Sequence, residues 1–471
     1  MSRRDSDRVS IPLPELNSVN TAPDSSHETA ALKPRRWQVV TAIVVVIAVI
    51  TAGWIGTHQP GTPQESPSYR DDYWNLSFCG SSDDVFTGVA IDQSRKILAI
   101  GGTYSPDFMV SRQHSGMGPW ATLVVLDRVG GLLSSWASDQ HQYTSIVQSW
   151  DGTMIVAGAV LAHDGSWEPY IAPLSASGEP LEGGYYVESG RGLVAYTALT
   201  RGPAQGTLAL APKVTSEGVS EGFVLDFYTL GGDLIWSKKF PSYGVSEWSM
   251  TTLDDGTIFV VGTAPEHGWA GDDEKVLDSD GNAWVLKISP DGELLWARAL
   301  PGQADFSITG VIPSDLGGVF IAGTVSGEDP GFPTIGVLAG FLAEVDSSGT
   351  IVWASVYGGS GLDIFTDLTR TTDGNLVVSG ATTSFDGHFA IPYPTGVPHP
   401  EPYGASLIAK FSVDGTLLWS QIEGGPEPDM LYALEPTPLG GIIAVGSRQE
   451  TIGDDSLCAP PNVLIINLPP Q

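Results

Sequence analysis

The residues best suited to chemistry in this sequence are carboxylates, and one group of them lies in an acidic stretch, residues 264–282. Asp278, Asp280 and Asn282 occupy alternate positions there, which is the spacing of oxygen ligands in calcium-binding loops. The EF-hand form requires glycine at the next position, where this chain has Ala283, and no bidentate glutamate follows in register. We therefore expect a solvated acidic loop, with calcium binding by these three residues as the alternative.

A second set of carboxylates recurs at one point of an internal repeat: Asp84, Asp305, Asp363 and Asp429. Each falls between the outer strand of one repeat and the inner strand of the next, near the mouth of a central channel. A ring of carboxylates at a channel mouth would bind a cation. Alternatively, each carboxylate accepts backbone N–H bonds within its own turn, and we favour this structural role.

Catalytic chemistry has little support in the sequence. The histidines of the loops lack the close spacing of metal ligands, and the two cysteines do not form a zinc pair. The net charge of −32 argues against a nucleic acid partner, because a phosphate-binding surface needs a surplus of Lys and Arg. We predict no catalytic residue and no cofactor other than, as an alternative, calcium.

The elements that position these residues belong to the repeat itself. The stretches DGELLWARAL (from Asp291), SGTIVWASVYGG (from Ser348) and DGTLLWSQIEGG (from Asp414) each place a tryptophan four residues after a turn glycine. Each follows a run of β-branched and aromatic residues, which indicates a β-hairpin. A second hairpin, such as DGNLVVSGA (from Asp373), precedes each one. Seven copies predict an all-β, seven-bladed β-propeller, with inter-blade packing by Trp74, Trp236, Trp296, Trp353 and Trp419.

The seventh repeat lacks its tryptophan strand, because the chain ends soon after NVLIINL (from Asn462). Residues 73–79 look like the missing strand, since Trp74 precedes Asp84 by the same interval that separates Trp353 from Asp363. An N-terminal strand would then complete the last blade and remove an open sheet edge. The same pairing would bring Cys79 close to Cys458, so we predict a disulfide between them.

The combined pattern, clearest in GFLAEVDSSGTIVWASVYGG (from Gly340) and LIAKFSVDGTLLWSQIEGG (from Leu407), resembles the SBBP-type β-propeller repeats of secreted and surface-attached bacterial proteins. The resemblance covers about residues 73–468. The second and third blades depart from it, since PLSASGEPLEGG has Glu182 where the tryptophan would be. The resemblance implies the fold and an exported location, and it implies little about activity.

Residues 39–55 carry no charge, and Lys33, Arg35 and Arg36 precede them. By the positive-inside rule we expect a cytoplasmic tail (1–37), a transmembrane signal-anchor helix (38–57), a linker (58–72) and an extracytoplasmic propeller (73–469). The protein would be a single-pass protein of the cell membrane. A cleaved signal peptide is the alternative.

One rim of the propeller, the tight-turn rim, should carry the short Asp-Gly turns. The opposite rim, the long-loop face, should carry the connections 104–119, 213–221, 264–282, 325–338, 382–404 and 448–461. Because recognition usually uses loops on a rigid scaffold, we expect a non-catalytic binding or scaffolding propeller. Its acidic long-loop face would bind an unknown protein or glycan partner. The alternatives are a hydrolase or lyase acting on an extracellular polymer, and a calcium-stabilised lectin-like or adhesin-like module.

Overall fold

The structure is a computed structural model that describes residues 73–470, with gaps at 79–83, 106–119, 164, 182–184, 187–192, 194, 215–219, 242–247, 264–274, 279–280, 303, 330, 334–335, 392–403, 425–428 and 450–461. In those ranges no helix is long and apolar enough to span a membrane. The predicted anchor, residues 38–57, and both cysteines lie outside the described residues. The anchor and the disulfide therefore stay predictions.

The described chain is built almost entirely of β-strands. In chain order the strands are β1 (Trp74–Phe78), β2 (Asp84–Ile91), β3 (Ile97–Thr103), β4 (Trp120–Leu126), β5 (Leu132–Ser138), β6 (His141–Gln148), β7 (Met154–Leu161), β8 (Trp167–Pro173), β9 (Tyr185–Tyr186), β10 (Ala198–Arg201), β11 (Thr207–Val214), β12 (Ser220–Tyr228), β13 (Leu234–Phe240), β14 (Trp248–Thr252), β15 (Ile258–Thr263), β16 (Val276–Asp278), β17 (Ala283–Ile288), β18 (Leu294–Ala299), β19 (Asp305–Pro313), β20 (Val319–Ser326), β21 (Glu328–Asp329), β22 (Phe332–Pro333), β23 (Ala339–Val345), β24 (Ile351–Tyr357), β25 (Asp363–Arg370), β26 (Leu376–Thr382), β27 (Ala405–Phe411), β28 (Leu417–Glu423), β29 (Met430–Pro436), β30 (Ile442–Arg448) and β31 (Asn462–Leu468). Two short 3-10 helices lie at Pro203–Gln205 and Gly387–Phe389.

The strands form seven antiparallel blades, which confirms the predicted all-β, seven-bladed propeller. From the inner to the outer strand, blades 1 to 7 are β2-β3-β4-β5, β6-β7-β8-β9, β10-β11-β12-β13, β14-β15-β17-β18, β19-β20-β23-β24, β25-β26-β27-β28 and β29-β30-β31-β1. Each inner strand contacts the inner strand of the next blade, and β29 contacts β2, so the ring is closed. Blade 4 has a fifth strand, because β16 pairs in parallel with the outer strand β18.

The N-terminal strand completes the last blade, as the sequence predicts. Strand β1 pairs antiparallel with β31, in a register that runs from Trp74 opposite Asn467 to Phe78 opposite Val463. Its apolar side chains pack on a cluster that contains residues of both blade 7 and blade 1. The strand therefore covers the edge of blade 7 and contributes to the junction where the ring closes.

The burial of each strand explains its sequence pattern. The middle strands β26 and β27 are buried on both faces between neighbouring blades, and they read as nearly continuous runs of apolar and small residues. The outer strand β28 alternates between half-buried and exposed residues, because one of its faces meets solvent. An alternating sequence therefore marks an outer strand, and a continuous run of apolar and small residues marks a middle strand.

A β-bulge in the inner strand explains the glycine that recurs near the end of the second strand. In blade 6 the bulge falls between Phe365 and Asp367, so Thr366 is the extra residue. Opposite it, a Cβ on Gly380 would lie 1.8 Å from the Ile364 carbonyl oxygen, so only glycine fits. The freed Thr366 hydroxyl donates a hydrogen bond of 2.7 Å to the Leu431 carbonyl of blade 7. The bulge therefore ties one blade to the next.

The repeated tryptophans lie on the outer strands, each close to the next blade or to the cluster it shares with that blade. The Trp296 indole N–H donates to the Ser347 carbonyl of blade 5 over 3.3 Å. Trp353 and Trp236 lie against the turn glycines Gly415 and Gly292 of the following blades. Trp74 lies against the blade 1 turn, and Trp419 packs on a cluster that spans blades 6 and 7.

Deletion of residues 73–79 from the full chain should open blade 7. The deletion exposes the edge of β31 and removes the buried surface of Trp74, Leu76 and Phe78, which we expect to lower the free energy of unfolding by about 3 kcal/mol or more. Thermal unfolding followed by circular dichroism should show a lower and broader transition. Deletion of seven tail residues, 5–11, is the control; equal transitions in the two variants would contradict the role of β1.

Candidate functional site

The three residues of the predicted calcium loop have separate positions in the structure. Asp278 ends the edge strand β16 on the outside of blade 4, opposite Arg298 in the β16–β18 register. Asp280 lies outside the described residues. The Asn282 side-chain amide accepts from the Phe306 backbone N–H over 3.0 Å and donates to the Phe306 carbonyl over 3.1 Å. Asn282 therefore joins blade 4 to blade 5, and calcium binding by this loop stays a prediction.

The second carboxylate set divides into three buried members and one exposed member. Asp363 is fully buried and accepts from the Thr382 hydroxyl (2.6 Å), the Ser384 hydroxyl (2.8 Å) and the Gly359 N–H (2.8 Å). Asp84 likewise accepts hydrogen bonds from the hydroxyl groups of Thr103 and Ser105. None of the three buried members of this set lines the central channel. These contacts give them a structural role inside the blade.

The other two members differ from this arrangement. Asp429 accepts from the Arg448 guanidinium over 3.2 Å and from the Gln449 N–H over 3.0 Å, so its charge is paired. Asp305 is exposed at the start of β19. The equivalent positions in blades 5 and 6, Asp305 and Asp363, therefore offer a matched comparison of an exposed and a buried carboxylate.

The described parts of the long-loop face are largely packed against the blades. Phe389 is fully buried, and the Phe332 ring contacts Phe306 and Phe341. These aromatic side chains therefore hold their loops in place. Tyr104, by contrast, is 48% exposed on this face.

A central channel of about 400 Å³ runs between the seven inner strands. Its walls are mostly small, polar or aliphatic, and they include a hydroxyl group from each of blades 1 to 6. Two carboxylates also line it, Asp367 on β25 and Glu435 on β29. These two carboxylates depart from the repeat, because the other residues that line the channel carry no charge.

Asp367 holds two adjacent blades together. One carboxylate oxygen accepts from the Leu434 N–H of blade 7 over 2.9 Å, and the other accepts from the Leu368 N–H over 2.8 Å. In blade 2 the Ser145 hydroxyl makes the equivalent bond to the Leu199 N–H of blade 3. Burial raises the pKa of Asp367 to about 6, while the two backbone hydrogen bonds lower it.

Glu435 has no hydrogen bond of this kind among the described contacts and lies where the channel meets a second cavity. Burial, together with the nearby charge of Asp367, raises the pKa of Glu435 to about 8 against the opposing effect of Arg201. The two carboxylates thus form a coupled pair near neutral pH. The pair can hold a proton, or it can accept hydrogen bonds from a ligand.

The second cavity, of about 380 Å³, forms the mouth of the channel on the tight-turn rim, near the ends of the inner strands. Trp150 is 48% exposed there. The Arg201 guanidinium lies 5.3 Å from the centre of the Trp150 ring, and its Nε donates to the Gln148 carbonyl over 2.7 Å. The Trp150 indole N–H donates to the Gly202 carbonyl over 3.1 Å. Blades 2 and 3 therefore fix an exposed aromatic ring and a cation in one orientation.

Two buried polar atoms at this mouth have no partner in the described chain: the Gln148 Nε2 amide and the Thr252 hydroxyl. Buried donors without acceptors are unfavourable, and native proteins satisfy nearly all of them through water, ions or ligands. The mouth therefore offers an aromatic surface, a guanidinium, a carboxylate, an amide and a hydroxyl to one bound molecule.

Sequence reasoning missed this site and favoured the opposite rim. Asp367 and Glu435 sit in inner strands whose alternation is shifted by bulges at Thr366 and Tyr432. An available signal is the residue after the bulge, which is Gly88, Ser145, Gly310 or Ala433 in blades 1, 2, 5 and 7. A carboxylate at Asp367 breaks that pattern of small residues.

In the described ranges no group of three or more His, Cys, Asp or Glu side chains is arranged to hold a metal ion. No family model matches the sequence, and no curated protein matches it either. A crystal structure of a protein of unknown function from Bacteroides caccae is similar to this chain. It shares 13% sequence identity, covers 65% of this chain and 92% of that one, and has a TM-score of 0.37. A similarity of that size carries no functional argument.

Asp363→Ala should destabilise the protein, whereas Asp305→Ala should not. The first substitution leaves two buried hydroxyls and one backbone N–H without their acceptor, at an expected loss of about 2–4 kcal/mol. The second removes an exposed carboxylate and should change stability by less than about 0.5 kcal/mol. Urea denaturation of both variants measures the difference. Equal losses would contradict the structural role of the buried carboxylate.

Glu435→Gln should flatten the dependence of stability on pH. A carboxyl whose pKa is raised by folding stabilises the folded state only while it is protonated, so wild-type stability should fall from about pH 4.5 to about pH 8. The variant lacks this loss and should gain on the order of 2 kcal/mol over wild type at pH 8.5, after allowance for solvent in the open channel. Melting temperatures between pH 5 and 8.5 test this. Glu179→Gln, at an exposed turn, should follow wild type; parallel curves for Glu435→Gln and wild type would contradict the raised pKa.

Proposed function

We propose that this chain is a membrane-anchored, extracytoplasmic binding propeller that recognises a glycan at the channel mouth on its tight-turn rim. The observation that carries the proposal is the exposed Trp150 ring beside Arg201, in a cavity whose lining includes two buried polar atoms without partners in the described chain. A sugar ring has an apolar C–H face that packs on an indole, and hydroxyl groups that bond to amides, carboxylates and guanidinium groups. The channel mouth carries an indole, an amide, a carboxylate and a guanidinium group.

The rigidity of the site supports binding. Trp150 and Arg201 are both hydrogen-bonded to backbone carbonyls. A ligand therefore meets side chains whose rotamers are already fixed, which reduces the entropy lost on binding. The half-buried Glu435 at the floor of the mouth would accept hydrogen bonds from ligand hydroxyls, and its raised pKa would make affinity depend on pH.

The cellular setting of this proposal rests on the sequence. The uncharged stretch 39–55 after Lys33, Arg35 and Arg36 supports a membrane anchor, and the repeat pattern supports a relationship to the SBBP-type propellers. The predicted disulfide is supported by the β1–β31 register, since the pairing of Phe78 with Val463 ends one residue before Cys79. The long-loop face remains the alternative binding surface.

Trp150→Ala should weaken binding of cell-envelope glycan fragments by at least about tenfold, because it removes the aromatic platform. Tyr104→Ala is a matched control, since Tyr104 has the same exposure, 48%, on the opposite rim. Isothermal titration of both variants with the glycans that bind wild type in an array measures the effect. Weaker binding by Tyr104→Ala, with Trp150→Ala unchanged, would move the site to the long-loop face.

A second candidate, a glycan hydrolase, is favoured by the coupled pair Asp367 and Glu435. Retaining and inverting glycosidases use two carboxyl groups whose pKa values are separated by their environment. Against catalysis, both oxygens of Asp367 accept backbone N–H bonds, and the one from Leu434 joins blade 6 to blade 7. The segment 218–222 reads G-x-S-x-G, yet Ser220 starts strand β12 and lies on no strand-to-helix turn. Release of reducing ends by wild type, lost in Glu435→Gln, would favour the hydrolase.

A further inference from the structure

Blade 2 lacks the tryptophan that blades 3 to 7 carry at one position of the outer strand, and blade 1 has Ser134 at that position. The tryptophan of blade 5, Trp353, is opposite Glu344, two residues after Ile351. In blade 2 the residue four positions after the turn glycine Gly178 is Glu182, just as Trp353 lies four positions after Gly349. Glu182 itself lies outside the described residues.

The tryptophan of blade 5 shows what normally occupies this position. Trp353 packs on a cluster that includes Phe320 and Leu342 of its own blade and Leu376 and Phe411 of blade 6. Its ring centre lies 6.3 Å from that of Phe320. The ring therefore fills the space between two blades.

The residues that correspond to those around Trp353 line an open cleft between blades 2 and 3. By strand register, Phe320, Leu342, Leu376 and Phe411 correspond to Ile155, Ile171, Thr207 and Tyr228. All four of these residues line a cavity of about 210 Å³. An engineered apolar cavity of about 150 Å³ is large enough to bind benzene, so the cleft has room for one aromatic ring system.

Two polar groups at the cleft can accept a hydrogen bond from an indole N–H. The Ser149 hydroxyl lines the cleft, the residue is only 2% exposed, and the hydroxyl has no partner in the described chain. The Trp296 indole N–H of blade 4 donates to the Ser347 carbonyl, and the turn position equivalent to Ser347 is Leu230. Leu230 also lines the cleft. Its carbonyl is thus the acceptor that an inserted indole would use.

We propose that the cleft between blades 2 and 3 binds a tryptophan side chain from a partner polypeptide, which takes the place of the missing repeat tryptophan. The aromatic occupant is identified by the five blades in which a tryptophan of this chain fills the corresponding position. Leu181 and Leu230, 45% and 43% exposed, form an apolar border that would contact the residues flanking the inserted tryptophan. The site is separate from the channel mouth and does not depend on the proposed glycan binding.

The test uses the full chain and N-acetyl-L-tryptophanamide as the probe, with binding followed by ligand-observed NMR and by thermal shift. Wild type should bind the probe saturably, with a Kd on the order of 1 mM. Leu230→Glu, a substitution at an exposed residue, should weaken binding by at least about fivefold, because it places a charge at the border of the cleft. Leu234→Glu is the control, since Leu234 is 48% exposed on the same hairpin and does not line the cleft.

A filling variant gives a second, independent readout. Glu182→Trp restores the repeat, so it should abolish probe binding and raise the melting temperature by roughly 3 °C. Saturable binding that Leu230→Glu weakens, Glu182→Trp abolishes and Leu234→Glu keeps supports the proposal. Absence of saturable binding to wild type, or equal binding by all variants, overturns it. A concentration-dependent dimer that Leu230→Glu dissociates would assign the cleft to a second copy of the chain and would also overturn it.

Discussion

Every blade of this protein has two apolar faces, and each face is buried only if another blade covers it. The ring must therefore close, and closure depends on one strand pairing, between β1 at the start of the fold and β31 at its end. That pairing supplies the outer strand of blade 7 and places Trp74 and its neighbours against blade 1. The inner strands that line the channel keep their arrangement because the ring is closed.

Adjacent blades are joined by a small set of repeated contacts. Bulged threonines bond to the carbonyl of the next inner strand, as Thr309 does to Phe365 over 3.0 Å, and outer tryptophans lie against the turns of the next blade. The candidate sites are the places where this repetition fails. Asp367 and Glu435 place carboxylates in a wall of small and hydroxyl-bearing residues. Blade 2 lacks the repeat tryptophan, and a cleft lies between blades 2 and 3. The first departure adds charge to the channel wall, and the second leaves a space between two blades.

The sequence predicts the blade number and the closing strand because both depend on local signals: turn glycines, a tryptophan four residues later, and one unpaired strand at each end. It also explains the recurring glycine once the bulge is known. Strict alternation did not reveal that Asp367 lines the channel, because the bulge at Thr366 shifts the alternation of β25 by one residue. Simple alternation places Asp367 on the buried face with Phe365, whereas in the structure Leu368 takes that face and Asp367 lines the channel. The prediction of the long-loop face rests on the length and the acidic charge of its loops, and it stays a prediction.

The central functional claim is that the channel mouth at Trp150 and Arg201 binds a glycan. The most direct measurement is a crystal structure of the protein in complex with the glycan that binds most tightly in an array. We expect the sugar ring to stack on Trp150, with its hydroxyl groups within hydrogen-bonding distance of the Gln148 amide, the Thr252 hydroxyl and Glu435. A glycan bound on the long-loop face, with the mouth occupied only by water, would contradict the account.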